Sequence, residues 1–382
     1  MPEAVPVAIV GGGPVGAALA IGLTGGGIDA VVLEARSGDT AVADPRPLAL
    51  SYGSRLILER LEVWGALGPV TPIEEVHVSQ RGGFGRVVMT AARAGLPALG
   101  YVIEYARLQS VLRRTLAERR VRTLHGVKVS AVRPEQDVTT VEYENAEGQG
   151  AVAARMVVVA DGGTLRSEAA RVSDYRQSAV VAMVKSELPH RNVAFERFTA
   201  RGPIALLPHR EELALIWSLE TNTAQAWCAE PADVFLARLH CEFGARLGGF
   251  TSVGTRTSFP LSLKLGLAST PRTLYIGNAS QTLHPVAGQG LNLGLRDAWE
   301  LAGEVRDADA ATIGGAAMLD AFQNRRRIDR RGGVGFTDGL VRVFSNDVTP
   351  LRLARGLGLT LLDAFPPAKD FLVRRMTFGA RG

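Results

Sequence analysis

Two cysteines in 382 residues, Cys228 and Cys241, form no metal-type spacing, so neither a disulfide framework nor a zinc site is suggested. They read as small buried hydrophobes in a reducing cytosol. No Gly-Lys-Ser/Thr follows the glycine-rich turn near the N-terminus, which excludes a phosphate-binding P-loop. No charge falls between Glu3 and Asp29, yet glycines and a proline interrupt that apolar run and no basic segment precedes it. Neither a signal peptide nor a membrane span is therefore expected there. Internal repeats and low-complexity tracts are missing as well.

Present in abundance are 43 glycines, 46% hydrophobic residues and a net charge of +5. The length suffices for two lobes with a substantial core. Much of the surplus charge is arginine. Arg325, Arg326, Arg327, Arg330 and Arg331 form one cluster; Arg352, Arg355, Arg374, Arg375 and Arg381 follow in the tail. No nucleic-acid reader motif accompanies them, so nucleic acid is not an expected partner. Because the tail arginines alternate with leucines and phenylalanines, an anionic membrane surface suits them better, beside the plainer reading of a solvated basic helix face.

Two glycine motifs carry the chemistry. Val5 to Val10 reads as a buried parallel strand and runs into Gly11-Gly12-Gly13-Pro14-Val15-Gly16, which satisfies G-x-G-x-x-G. A helix follows, then a second apolar strand, Ala30 to Leu33, ending in Glu34-Ala35-Arg36. This is a complete dinucleotide fingerprint. Gly11 makes the tight turn, Gly13 admits a pyrophosphate and Gly16 lets helix meet strand, while Glu34 suits the hydroxyls of an adenosine ribose. By itself it serves NAD as readily as FAD. The second motif runs from Tyr275 through Gly277-Asn278, His284-Pro285 and Gly288-Gln289-Gly290 to Asn292: a short strand, a turn and a helix start. Bare amides at such a start suit an anion or a ring that becomes anionic.

Between the motifs the pattern predicts helices over 52–61 and 107–120, a run of antiparallel strands over 121–160, and Asp161-Gly162 after a buried strand. A strand-rich block follows over 180–259, interrupted by a helix over 232–243. Its apolar strands, with Leu207, Pro208 and Trp217, could line a pocket or form ordinary core. Beyond Leu301 the chain reads as helical and ends in an amphipathic tail.

With both glycine motifs and Asp161-Gly162 in place, the chain resembles the flavin-dependent aromatic hydroxylases of the p-hydroxybenzoate hydroxylase fold, in the ubiquinone-biosynthesis branch. Asn278 and the phrase Gln281-Thr282-Leu283-His284-Pro285 point to the 2-polyprenyl-6-methoxyphenol hydroxylase subgroup. The resemblance implies an α/β fold: a Rossmann-type FAD-binding lobe with an inserted β-sheet substrate lobe and a helical C-terminal tail. The lobes would comprise 1–75, 100–176 and 270–345 for FAD, 76–99 and 177–269 for substrate, and 346–382 for the tail. It implies hydroxylation of a polyprenylated phenol with NAD(P)H and O2 through a C4a-hydroperoxyflavin. Gly11, Gly13, Pro14, Gly16, Glu34, Ala35 and Arg36 would hold FAD, with Arg46 and Arg107 approaching from flanking loops. Asp161, Gly162, Gly277 and Asn278 would meet its phosphates or ribityl, and Pro285, Gly288, Gln289, Gly290 and Asn292 would border its ring.

Leu165 stands where that family's second motif has serine, and Asn278 where most relatives have aspartate. No acid–base residue is assigned; His284 and Pro285 are candidates by proximity to the ring. A peripheral place on the inner membrane face, contact with other ubiquinone-biosynthesis proteins and a homo-oligomer are further expectations. Alternatives are the hydroxylase of a soluble aromatic substrate and a catalytically silent flavin-binding scaffold. A flavin halogenase would show Trp-x-Trp, which the four tryptophans do not form.

Overall fold

A computed structural model of the protein describes residues 4–38, 44, 46–165, 171–265, 270–282, 288–344 and 349–380. Val5–Val10 is uncharged and lies at the heart of a sheet that is seven-stranded among the described residues. It runs parallel to Ala30–Glu34 on one side and to the second half of Gly148–Val159 on the other. Val7, Ala8 and Ile9 are wholly buried, as a strand covered on both faces requires. Arg122–His125 extends the sheet in parallel beyond Ala30–Glu34, and Thr273–Tyr275 joins in parallel beside Val157–Val159.

The first half of Gly148–Val159 instead pairs antiparallel with Thr139–Asn145, and that strand with Lys128–Pro134. The expected all-antiparallel run over 121–160 is therefore corrected at both ends. Met156 to Val159 are completely buried, and helices cover that part of the sheet, which favours parallel pairing. The parallel strands all present their C-terminal ends to one edge. There the helices Pro14–Gly25 and Gln289–Arg306 begin, and they pack side by side.

The second sheet has nine strands among the described residues. Arg171–Ser186 lies between Thr257–Leu265 and Glu212–Glu220, followed by Gly202–His209 and Val193–Thr199. The hairpin Glu75–Gln80 with Arg86–Thr90 docks parallel to Val193–Thr199 and completes that side. Ala232–Phe243 and a second helix, Thr221–Ala229, which periodicity alone does not reveal, cover one face. Trp217, Trp227, Phe235, Phe243 and Phe250 fill the space between.

Three helices close the chain: Ala316–Phe344, Thr349–Ala364 and Pro366–Phe378. The last two lie across the hairpin side of the second sheet. Gln80 Nε2 donates to Arg352 O at 2.9 Å, Val88 N to Asp363 Oδ1 at 3.1 Å, and Arg93 pairs with Asp370 at 2.9 Å. Within the arginine cluster, Arg326 turns inward and Arg330 partly so, while Arg325 and Arg327 stay exposed. Arg326 is 1% exposed and meets Asp297 at 2.7 Å, Glu300 at 2.8 Å and Asp329. Arg325 pairs with Glu304, and Arg330 reaches Asp297. Charges this deep persist only when paired. Here they fasten the helix Gln289–Arg306 to the helix Ala316–Phe344. Among the described residues, no helix is long and apolar enough to cross a membrane.

Candidate active site

One cavity of about 1280 Å³ runs from the C-terminal edge of the first sheet, along the open face of the second, to the tail helices. At its first end the backbone does the work. Gly11 has φ +103°, and a Cβ there would stand 2.7 Å from Ala160 O. A Cβ on Gly16 would overlap Gly11 O, so that glycine serves close helix–strand contact. A Cβ on Gly13 or on Gly162 would meet nothing within 4 Å: these two glycines keep space open. The helix beginning at Pro14 has no side-chain cap, so its first amides face the opening. Glu34 Oε2 accepts from Gly12 N at 2.6 Å and Oε1 from Arg36 N at 3.0 Å. The carboxylate is thereby fixed at the strand tip, beside Ala35 in the cavity wall.

Other predicted residues gather around this end with distinct duties. Asp161 orders its own turn, accepting from Gly163 N and Thr164 Oγ1, both at 2.8 Å. Arg46 grips Asp44 through its backbone amide and its guanidinium, the shortest bonds being 2.8 Å from Nε and 2.6 Å from Nη2, and lies 4.8 Å over the Phe259 ring. Burial alone would raise the Asp44 carboxyl, but the Arg46 bonds hold it below the usual carboxylate range. Gly288 (φ +58°) starts the second helix without a side-chain cap, and Gln289 and Gly290 line the opening next to it. Asn278 Oδ1 points towards Gly290.

Asn292 lines the cavity, yet its amide is fully engaged. Oδ1 accepts from Ser51 N at 2.8 Å and Ser54 Oγ at 2.7 Å; Nδ2 donates to Ala49 O at 3.0 Å and Gly288 O at 2.8 Å. It holds the loop before the helix against Pro47–Ser51.

Three predicted cofactor residues lie off the cavity wall. Gly16 and Gly277 are packing positions, the latter against Val15, and the Arg107 guanidinium lies over Gly68. His284 and Pro285 fall outside the described residues. Gln109, by contrast, went unforeseen. It is 2% exposed and donates to Gly12 O at 2.6 Å, holding the glycine turn from behind. A polar residue amid Leu108, Val111 and Leu112 was the signal.

On the second sheet, strand parity decides the pocket. Leu207 faces the cavity, whereas Pro208 and Trp217 do not. Trp217 is fully buried behind the sheet, 4.9 Å from Trp227, so of its two readings, pocket wall and ordinary core, the pocket one is set aside. Its neighbour Ile216 faces the cavity instead, because successive side chains take opposite faces. Glu196 was missed altogether. It lines the cavity, and its Oε1 is sealed from solvent with no hydrogen-bond partner among the described residues. Burial pushes its carboxyl up to about 8.

The tail supplies a third wall. Gly358, Leu359 and Leu362 of one helix and Leu372, Val373 and Met376 of the next line the cavity. Of the tail residues expected at a membrane or partner surface, Leu359, Leu362 and Leu372 thus face inward. Leu353, Leu357, Leu361, Phe365 and Phe371 are exposed.

Two helix starts over glycine turns, a carboxylate at the second strand and an adjoining apolar chamber define a dinucleotide-type flavoprotein site. The open space at Gly13 and Gly162 and the uncapped helix starts fit FAD.

The chain matches the FAD binding domain family over residues 4–329. It is 34% identical to ubiquinone hydroxylase UbiL of Rhodospirillum rubrum, over 96% of this chain and 88% of that one. It is 31% identical to 3-demethoxyubiquinol 3-hydroxylase of Escherichia coli, over 92% and 93%. In fold it is similar to p-nitrophenol 4-monooxygenase PnpA of Pseudomonas putida, with a TM-score of 0.78, 16% identity and full coverage of both chains. The chain belongs to the FAD-binding aromatic hydroxylases, in the branch of the ubiquinone-biosynthesis enzymes. It is an FAD-dependent hydroxylase of that branch.

Proposed function

We propose that this enzyme hydroxylates the aromatic ring of a polyprenylated phenol in ubiquinone biosynthesis. The observation that carries this reading is the continuity of the cavity. A polar cradle for a dinucleotide opens without interruption into an apolar chamber that reaches between sheet and tail. A ring could sit at the junction and a prenyl chain extend towards Leu359 and Leu362. A soluble phenol would leave the tail end of that chamber unused.

Gly11, Gly13 and the amides of the helix at Pro14 would hold the FAD pyrophosphate, and Glu34 its adenosine ribose. The helix start at Gly288–Gly290 would stabilise negative charge developing on the flavin ring. When bound, FAD takes reducing equivalents from NAD(P)H and delivers oxygen from O2 to the ring. The apolar walls keep water from that chemistry. Asn292 and Gln109 fix the two loops that bring the glycines together.

The outer stripe of the tail supports contact with a bilayer. Leu353, Leu357 and Leu361 recur every fourth residue on one helix, followed by exposed Phe365 just past its end and by exposed Phe371 and Arg374 on the next helix. Since the tail's inner face lines the cavity, point changes test this more cleanly than truncation. Flotation with anionic phospholipid vesicles should fail for Leu357→Asp/Leu361→Asp while flavin is retained; undiminished flotation would remove the membrane contact.

For the reaction, purified protein should be yellow, and a prenylated phenol should stimulate NAD(P)H oxidation and gain one oxygen atom. Equal stimulation by the same phenol without its chain would favour a soluble substrate. Colourless protein that takes up no flavin would end the proposal.

A further inference from the structure

Glu196 is the single carboxyl in a row that crosses the cavity face of the second sheet. Register aligns Val87, Val78, Glu196, Ala205, Ile216 and Val181 side by side on neighbouring strands. All six line the cavity, and the other five are apolar. Along its own strand Glu196 stands between Ala194 and Phe198. Ala194 packs in a cluster with Ala49, the residue next to the Gly288 helix start. Phe198 packs with Leu359 of the tail. Glu196 therefore sits between the cofactor end of the chamber and its greasy end.

Neither of its oxygens has a hydrogen-bond partner among the described residues. The remaining charged residues of the wall are Glu34, Arg36, Arg46, Lys128 and Asp161 near the dinucleotide end, and Arg355 on the tail helix. Arg355 donates to Leu351 O at 3.1 Å. No ion pair to Glu196 is formed by any of them. A polar group left unmet in an apolar wall is costly, and a ligand that meets it recovers that cost. For a phenol whose tail points to Leu359, the polar feature available at this depth is an oxygen on the ring.

We propose that the Glu196 carboxyl hydrogen-bonds the hydroxyl of the substrate's aromatic head and so fixes which ring oxygen the enzyme reads. This rests on the prenylated-phenol reading above. It makes Glu196 a specificity residue: the oxygen it holds, together with the direction of the chain, orients the ring before the cofactor.

The test uses flavin-loaded enzyme and two probes, a short-chain prenylated phenol and its O-methyl ether, with binding read from the flavin absorbance spectrum. Wild type should bind the phenol roughly 10–100-fold more tightly than the ether. Glu196→Leu, at full flavin occupancy, should bind the two within about threefold of each other. Glu196→Gln, which keeps the shape and a hydrogen-bonding amide, should retain part of the preference. If Glu196→Leu discriminates as wild type does, or if wild type binds phenol and ether alike, the assignment is overturned. If wild type binds neither probe, the substrate reading itself fails. Should Glu196→Leu not fold, the wild-type and Glu196→Gln measurements still decide.

Discussion

The two ends of the cavity are built on different principles. At the dinucleotide end, backbone makes the site: glycines set φ, helix starts supply amides, and few side chains are free to vary. At the sheet end, side chains make it, and neighbouring residues on one strand do opposite jobs. Ile216 borders open space while Trp217 fills the core behind it. A backbone-built site tolerates almost no substitution at its turns. A side-chain-built one separates stability from specificity by a single residue step.

That contrast can be broken most forcibly at Gly11. Gly11→Val should abolish flavin binding and cost more than about 4 kcal/mol, since the strained turn and the contact with Ala160 O both resist a side chain. Flavin content and thermal melting check it. Gly13→Ala, where a Cβ meets no protein atom, should melt within about 1 kcal/mol of wild type. It should still bind FAD distinctly more weakly. If both variants keep full flavin, the backbone does not make that end.

At the other end, Trp217→Ala should destabilise by about 3–5 kcal/mol through the cavity it leaves. Urea unfolding measures this.

Glu196 gives an effect in pH. Its folded carboxyl titrates near 8, against 4.5 when unperturbed. The stability due to its neutral form is whole below about pH 4.5 and is lost as pH rises through 8. Glu196→Gln, which does not titrate, should therefore gain on wild type on going from pH 6 to pH 9, by at most about 3 kcal/mol. Parallel melting curves at both pH values would refute the shift. Smallest of all, Ile216→Ala should cost about 1 kcal/mol, because it borders space already empty, while changing KM for the aromatic substrate.

The same contrast explains what could be read from sequence. The turn Gly11–Gly16 was legible because strand, glycines, helix and terminal acid each leave a mark at fixed spacing. So was the helix Ala232–Phe243, with its apolar stripe. The sheet face was not: Ile204 to Leu207 and Leu213 to Leu219 are apolar on both sides, so alternation could not tell chamber from core. Glu196 did leave a trace, a carboxylate between Ala194 and Phe198 on the same face. Arg326 left none, since its neighbours Arg325 and Arg327 look alike and only the fold says which one turns inward. Composition likewise cannot divide the tail leucines, which are alike inside and out.

The helix Thr349–Ala364 is greasy on two opposite sides, and a helix is only about 10–12 Å thick. With the proposed bilayer contact on its outer side, a molecule too oily to travel through water would need just a short hop past one rod to change from lipid to protein surroundings. The barrier to delivery would then be set by how far that rod shifts against the hairpin edge, and not by the hydration of a long isoprenoid.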